Sequence, residues 1–167
     1  MDLRASFIEG MSRAATFVTV ATTDGDGGRA GVTVSSLTSV SADGDAPALL
    51  ACIHHESPAA VAILKNRAFC ANLLHQSQQQ VANLFAGRLD QGERATRFDR
   101  ADWTPGTFAQ PLLAGATAAF ECQLATALLW ETHYIILGRV QAVHLSDQPE
   151  TLLYGGRAYR RAVGLEG

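Results

Sequence analysis

The sequence predicts a mainly β fold, a closed antiparallel barrel with short flanking helices. Three observations carry that expectation. About seven runs of the 167-residue chain are rich in β-branched and apolar residues. Turns bearing Gly, Asp and Pro mostly join them, rather than alternating helices, which argues against a parallel βαβ sheet. Two runs, 116–129 and 132–145, are long enough that closure is the natural way to hide their edges. The length suits one domain, 1–167.

Taken in order, Leu3, Phe7, Ile8 and Met11 recur at helical spacing and predict an amphipathic helix over 2–12 with one apolar face. FVTVATT (17–23) reads as a strand that turns at DGDGG (24–28). Asp24 and Asp26 share the opening of a calcium loop, but the later ligands and the closing Glu are missing, so the turn reading is preferred. AGVTVSSLTSVS (30–41) alternates, with Val32 and Val34 on one side and Thr33 and Ser35 on the other. ALLACIHH (48–55) is a near-continuous apolar run, hence a buried strand. Ser57 followed by Pro58 opens a short helix. FCANLL (69–74) is a further strand, and 76–87 a helix stopped by Gly87. Residues 88–109 form the least regular stretch. After them come the long antiparallel pair, then 152–154, a Gly155-Gly156 turn and a last short run, 158–161.

Thirteen Lys+Arg against sixteen Asp+Glu give a net charge of −3, so no broad attraction to nucleic acid follows. No run approaches the ~20 apolar residues of a membrane span, and the N-terminus carries Asp2 and Glu9 in place of a secretory signal. Cys52, Cys70 and Cys122 cannot all pair and have no C-x-x-C spacing, which makes a reducing cytoplasm the expected location.

Nucleophile, metal and dinucleotide motifs are missing. There is no G-x-S-x-G, no Walker-type loop and no G-x-G-x-x-G after a strand. Of the five histidines only His54 and His55 are close, and neighbours on a strand point to opposite faces, so no metal site is expected. What stands out is the hydroxyl row Thr33, Ser35, Ser36, Thr38, Ser39. It reads either as a half-exposed strand or as a line of neutral donors and acceptors beside a planar polar ligand.

TVSSLTSVS, LLACIHHESPAA, LFAG, AQPLLAG, FECQL, THYIILGRV and LLYGGRAYRR occur in that order over residues 7–161. Together they resemble the flavin reductase-like family, short NAD(P)H:flavin oxidoreductases built on an FMN-binding split barrel. Within it, AQPLLAG, NLLHQSQ and THYIILG are most similar to the reductase component of 4-hydroxyphenylacetate 3-monooxygenase.

Carried over by position, the resemblance implies that Thr33, Val34, Ser35 and Ser36 lie along the isoalloxazine edge. It places Cys52, Ile53 and His54 beside the flavin and ribityl chain, Ser57 at the phosphate, and Phe85 as a wall. His133 would meet the nicotinamide as the catalytic residue, with Tyr154, Arg157 and Tyr159 near the same mouth. Each has a plainer reading: a cap for Ser57, a small buried hydrophobe for Cys52, a structural imidazole for His133, a solvated basic edge for Arg157. Pro58-Ala59 stands where many relatives carry Arg-Thr, which implies a weaker hold on phosphate. The implied cofactors are FMN or FAD with NADH or NADPH. The implied partners are a second copy of the chain, as a homodimer, and a flavin-dependent oxygenase that receives reduced flavin. The rival functions are a flavin-binding or electron-relay module without an NADH site, and a split-barrel reductase of another acceptor such as a corrinoid.

Overall fold

A computed structural model describes residues 2–87 and 96–165. Its elements are α1 (Leu3–Ser12), β1 (Thr16–Phe17), β2 (Thr19–Thr23), β3 (Ala30–Val34), β4 (Thr38–Ser41), β5 (Ala48–His54), α2 (Pro58–Asn66), β6 (Ala68–Leu73) and α3 (Gln79–Phe85). A 3-10 turn (Arg97–Arg100) precedes β7 (Trp103–Pro105), β8 (Pro111–Leu113), β9 (Ala118–Trp130), β10 (His133–Leu145), β11 (Leu152–Gly155) and β12 (Ala158–Arg161).

Seven strands form one antiparallel sheet in the order β3-β2-β6-β9-β10-β5-β4. Its two edges, β3 and β4, are consecutive in the chain and joined by residues 35–37 alone. Such a link reaches at most about 14 Å, whereas seven strands laid flat would hold their outer members about 29 Å apart. The sheet must therefore roll until its edges face each other. The first core cluster agrees, because Ala21, Val34, Ala51, Ile53, Phe69, Leu124 and Ile136 come from six strands around the sheet and meet Ala60 and Ile63 of α2. Closure by a continuous ladder, as expected from the sequence, is not seen: among the described residues no ladder joins β3 to β4.

Instead one side chain ties the link between them to β5. The Ser36 hydroxyl accepts from the Cys52 N–H and donates to the Cys52 carbonyl, both at 3.0 Å. The expected single strand over 30–41 is thus two strands with a crossing between them, and the hydroxyl row does not lie on one line. Period-2 alternation cannot reveal such a break, because Leu37 is buried within the crossing.

The first helix forms where the sequence predicts it. Asp2 caps it as a good N-cap should, accepting from the Ala5 N–H at 2.7 Å. Yet Leu3, Phe7, Ile8 and Met11 are all exposed, and the helix contributes no buried residue. Ala5, Glu9 and Ser12, half-buried, face the body. The amphipathic pattern was real, but its polar side points inward.

Residues 103–113 form a hairpin on the sheet, where the sequence suggested only irregularity; of the stretch 88–109, residues 88–95 lie outside the described residues. Two buried polar groups hold it. Asn72 donates to the Val20 carbonyl and the Thr22 hydroxyl and accepts from the Leu113 N–H. The Glu121 carboxylate, fully buried, accepts from the Thr107 and Phe108 N–H groups at 2.8 Å each and faces His144 Nε2 at 2.8 Å. A Cβ at Gly106 would fall 2.4 Å from that carboxylate, so the turn needs a glycine there. β1, β11 and β12 make a separate three-stranded sheet whose Leu152 joins Leu74, Phe85 and Leu113 in the second core cluster.

Candidate functional site

Three elements enclose a cleft of 580 Å³. The C-terminal end of β3 supplies Thr33, Val34 and Ser35. The end of α3 supplies Asn83 and Ala86, and the β11–β12 hairpin supplies Tyr154, Arg157, Ala158 and Tyr159. Cross-links fix these walls. Thr33 donates its hydroxyl to the Ala82 carbonyl at 2.7 Å, tying β3 to α3. Tyr159 donates its phenol to Asn83 Oδ1 at 2.8 Å, tying the hairpin to α3. Tyr154 and Tyr159 meet edge-to-face with ring centres 5.3 Å apart. Burial, and then the neighbouring Tyr154, push the Tyr159 phenol above its usual range, so it is a donor at neutral pH.

Ser35, Thr38 and Ser39 of the hydroxyl row are exposed; of these only Ser35 lines the cleft, and its hydroxyl makes no hydrogen bond among the described residues. Thr33 and Ser36 use their protons on backbone carbonyls. Val34 is nearly buried, and Ile53 belongs to the core. Phe85, which the resemblance makes a wall, has a side chain with no exposed surface. It packs edge-on against Phe98 and Trp103 and against Gly31, where a Cβ would come within 2.9 Å of the ring. It holds α3 in place, while Asn83 and Ala86 form the wall.

A second group gathers at the adjoining ends of β5 and β10. His54 and His133 are opposite one another in the ladder, with ring centres 5.1 Å apart. His55 stacks on His54 at 5.0 Å. This corrects the expectation that the neighbouring pair would diverge. β5 ends at His54 and His55 already belongs to the turn, so the alternation of a strand no longer applies. Among the described residues no cluster of His, Cys, Asp and Glu could hold a metal ion. Ser57 starts α2 without a side-chain cap bond, which leaves its hydroxyl and the first-turn N–H groups directed at whatever lies before the helix. Cys52, half-buried, stands between the two groups, held at its backbone by Ser36.

The structure therefore unites Thr33, Val34 and Ser35 with Tyr154, Arg157 and Tyr159, residues more than a hundred positions apart. It keeps His54, His133 and Ser57 in the neighbouring region past Cys52. Asn83 and Val18 were not singled out from the sequence. Asn83 sits among the apolar residues of α3, and nothing in its spacing marks it.

Among the described residues no helix is long and apolar enough to cross a membrane. Comparison with known proteins gives a consistent answer. Residues 11–162 match the family model described as "Flavin reductase like domain". The chain is similar to FMN reductase (NADH) RutF 2 of Methylorubrum extorquens (strain PA1), at 40% identity over 93% of this chain and 88% of that protein. Its fold is similar to BorF, the flavin reductase component of a bacterial two-component tryptophan halogenase, with TM-score 0.84, 34% identity and coverage of 95% and 97%. It also resembles the Streptomyces globisporus C-1027 NADH:FAD oxidoreductase SgcE6 solved with NAD and FAD fragments, with TM-score 0.86, 28% identity and coverage of 96% and 93%. A family match over most of the chain, on a rolled antiparallel sheet whose cleft joins the segments that carry the resemblance, makes this chain a member of the flavin reductase-like family.

Proposed function

We propose that the protein is an NAD(P)H:flavin oxidoreductase that reduces FMN or FAD and passes the reduced flavin to a partner oxygenase. The observation that carries this reading is the cleft. It sets the exposed hydroxyl of Ser35 and the backbone of β3 against the Tyr154–Tyr159 pair, a slot of polar edge and aromatic wall suited to planar heterocycles. A bound flavin supplies the two-electron acceptor for hydride from a nicotinamide; the cofactors carry the electronic work, which agrees with the lack of an acid–base triad motif.

The chain's own residues have the task of positioning. Ser35 and the β3 backbone offer hydrogen bonds along the ring edge. Cys52 and His54 continue that surface toward Ser57, whose uncapped helix start favours a phosphate. His133, beside His54, is proposed to seat the nicotinamide so that the reacting atoms approach to about 3–3.5 Å. The protein acts as a cytoplasmic split-barrel homodimer of one domain per chain. Leu3, Phe7 and Met11 on α1 and Leu128, Leu129 and Trp130 at the end of β9 offer the exposed apolar surface a second copy would cover. A monomer by light scattering at micromolar concentration would exclude that assembly.

The test is NADH oxidation at 340 nm with added FMN, FAD or riboflavin against a control without protein. Flavin-dependent turnover well above that control is expected. A flavin-loaded protein without turnover would instead mark a relay module, and a protein with neither would leave the family likeness as fold alone. His133→Ala is expected to raise the KM for NADH or lower turnover; if both stay unchanged, His133 does not meet the nicotinamide.

A further inference from the structure

Arg157 is the one charged residue, among the described residues, that lines the cleft. Its backbone sits at φ 61°, a left-handed conformation that non-glycine residues rarely adopt, at the turn between β11 and β12. The side chain is not free. Its Nη2 donates to Glu9 Oε2 at 2.8 Å, and the other oxygen of Glu9 faces Arg13 Nε at 3.4 Å. Glu9 reaches this position because α1 turns its polar stripe inward, and the Gly156 N–H bonded to the Ser12 carbonyl at 2.7 Å pins helix to hairpin.

We propose that Glu9 is a specificity-determining residue: by pairing with Arg157 at the rim of the cleft, it offsets the positive charge there and biases the site toward less anionic reduced nicotinamides, NADH over NADPH. The inference rests on the reductase reading above and names which dinucleotide that reading favours. The pair is solvent-exposed on both sides, 62% for Arg157 and 37% for Glu9, so its contribution to stability is small. Its effect is on an incoming anion. A carboxylate beside the guanidinium repels each phosphate charge the guanidinium would attract, and the 2′-phosphate of NADPH adds about two more negative charges than NADH carries.

The test is a charge series with fixed flavin: uncharged dihydronicotinamide riboside, NADH and NADPH, in about 20 mM salt where screening is weak. Glu9→Gln keeps an oxygen to accept from Arg157 and removes only the charge. Its kcat/KM is expected to stay unchanged for the riboside, to rise about twofold for NADH and about fivefold for NADPH, with the gain lost at about 0.5 M salt. Arg157→Gln is expected to produce losses in the same order. A change in Glu9→Gln that is equal for all three donors, or no change, overturns the proposal while leaving the reductase intact. A wild-type protein inert with all three donors overturns the reductase reading and this inference with it.

Discussion

Replacing Ser36 by alanine removes the hydroxyl that bridges β5 at the open seam of the sheet. In the native protein that oxygen both accepts from and donates to the Cys52 backbone at 3.0 Å, taking the place of the next strand partner beyond Thr38↔Leu50. Two hydrogen bonds at about 0.5–1.5 kcal/mol each set the expected loss at about 1–3 kcal/mol, nearer the low end where water reaches the half-buried groups. At a urea slope of about 2 kcal/mol/M, the midpoint should fall by about 0.5–1.5 M. Ser36→Thr retains the hydroxyl and should recover most of the loss. Equilibrium urea unfolding of the three proteins, followed by tryptophan fluorescence, reads this directly. A Ser36→Ala protein within about 0.3 kcal/mol of wild type would refute the bridge, as would a threonine variant as unstable as the alanine one. A raised flavin KM without loss of stability would show instead that the hydroxyl is reserved for the ligand.

Other consequences concern the buried polar groups. Glu121→Gln leaves one amide oxygen for two N–H donors and turns an NH₂ toward the other, so unfolding should cost about 2–4 kcal/mol less and Tm should drop by about 5–15 °C in a thermal melt. A drop below about 2 °C would show that the 103–113 hairpin is held by other contacts. Burial, then the Glu121 charge, push the Cys122 thiol from 9.0 up to about 12, and burial raises Cys70 as well. A group raised in the folded state contributes stability that is complete below about pH 9 and lost as pH rises through about 12. Cys122 alone should therefore lower stability by about 1.4 kcal/mol per pH unit in that window. Urea midpoints that stay flat from pH 9 to 11 would contradict this. With a thiol reagent at pH 8, half-buried Cys52 should react first, and Cys70 and Cys122 only after unfolding.

Much of the architecture was legible because local chemistry fixes it. Ser57-Pro58 marks the start of α2, Gly87 follows the end of α3, and the alternating runs of β9 and β10 pair as expected around a two-residue turn. The ordered segments also identified the family, since they preserve the residue types that line a cleft even when the chain folds them far apart. Which of those residues face the cleft was not legible. Phe85 and Ser35 both occupied positions the resemblance implied, yet one is sealed in an aromatic cluster and the other is open.

The periodicity of α1 determined that it is amphipathic, but only the surrounding surface decides which side faces in. Here the Arg157 guanidinium and the backbone of the β11–β12 turn take Ser12 and Glu9, leaving Phe7 and Met11 outside. Strand-forming runs were likewise written in the sequence, whereas the rolling of the sheet was not. That follows from a strand order in which consecutive β3 and β4 lie at opposite edges, and a three-residue link that must still connect them. Strand order and facing depend on contacts between distant segments, which no local pattern encodes.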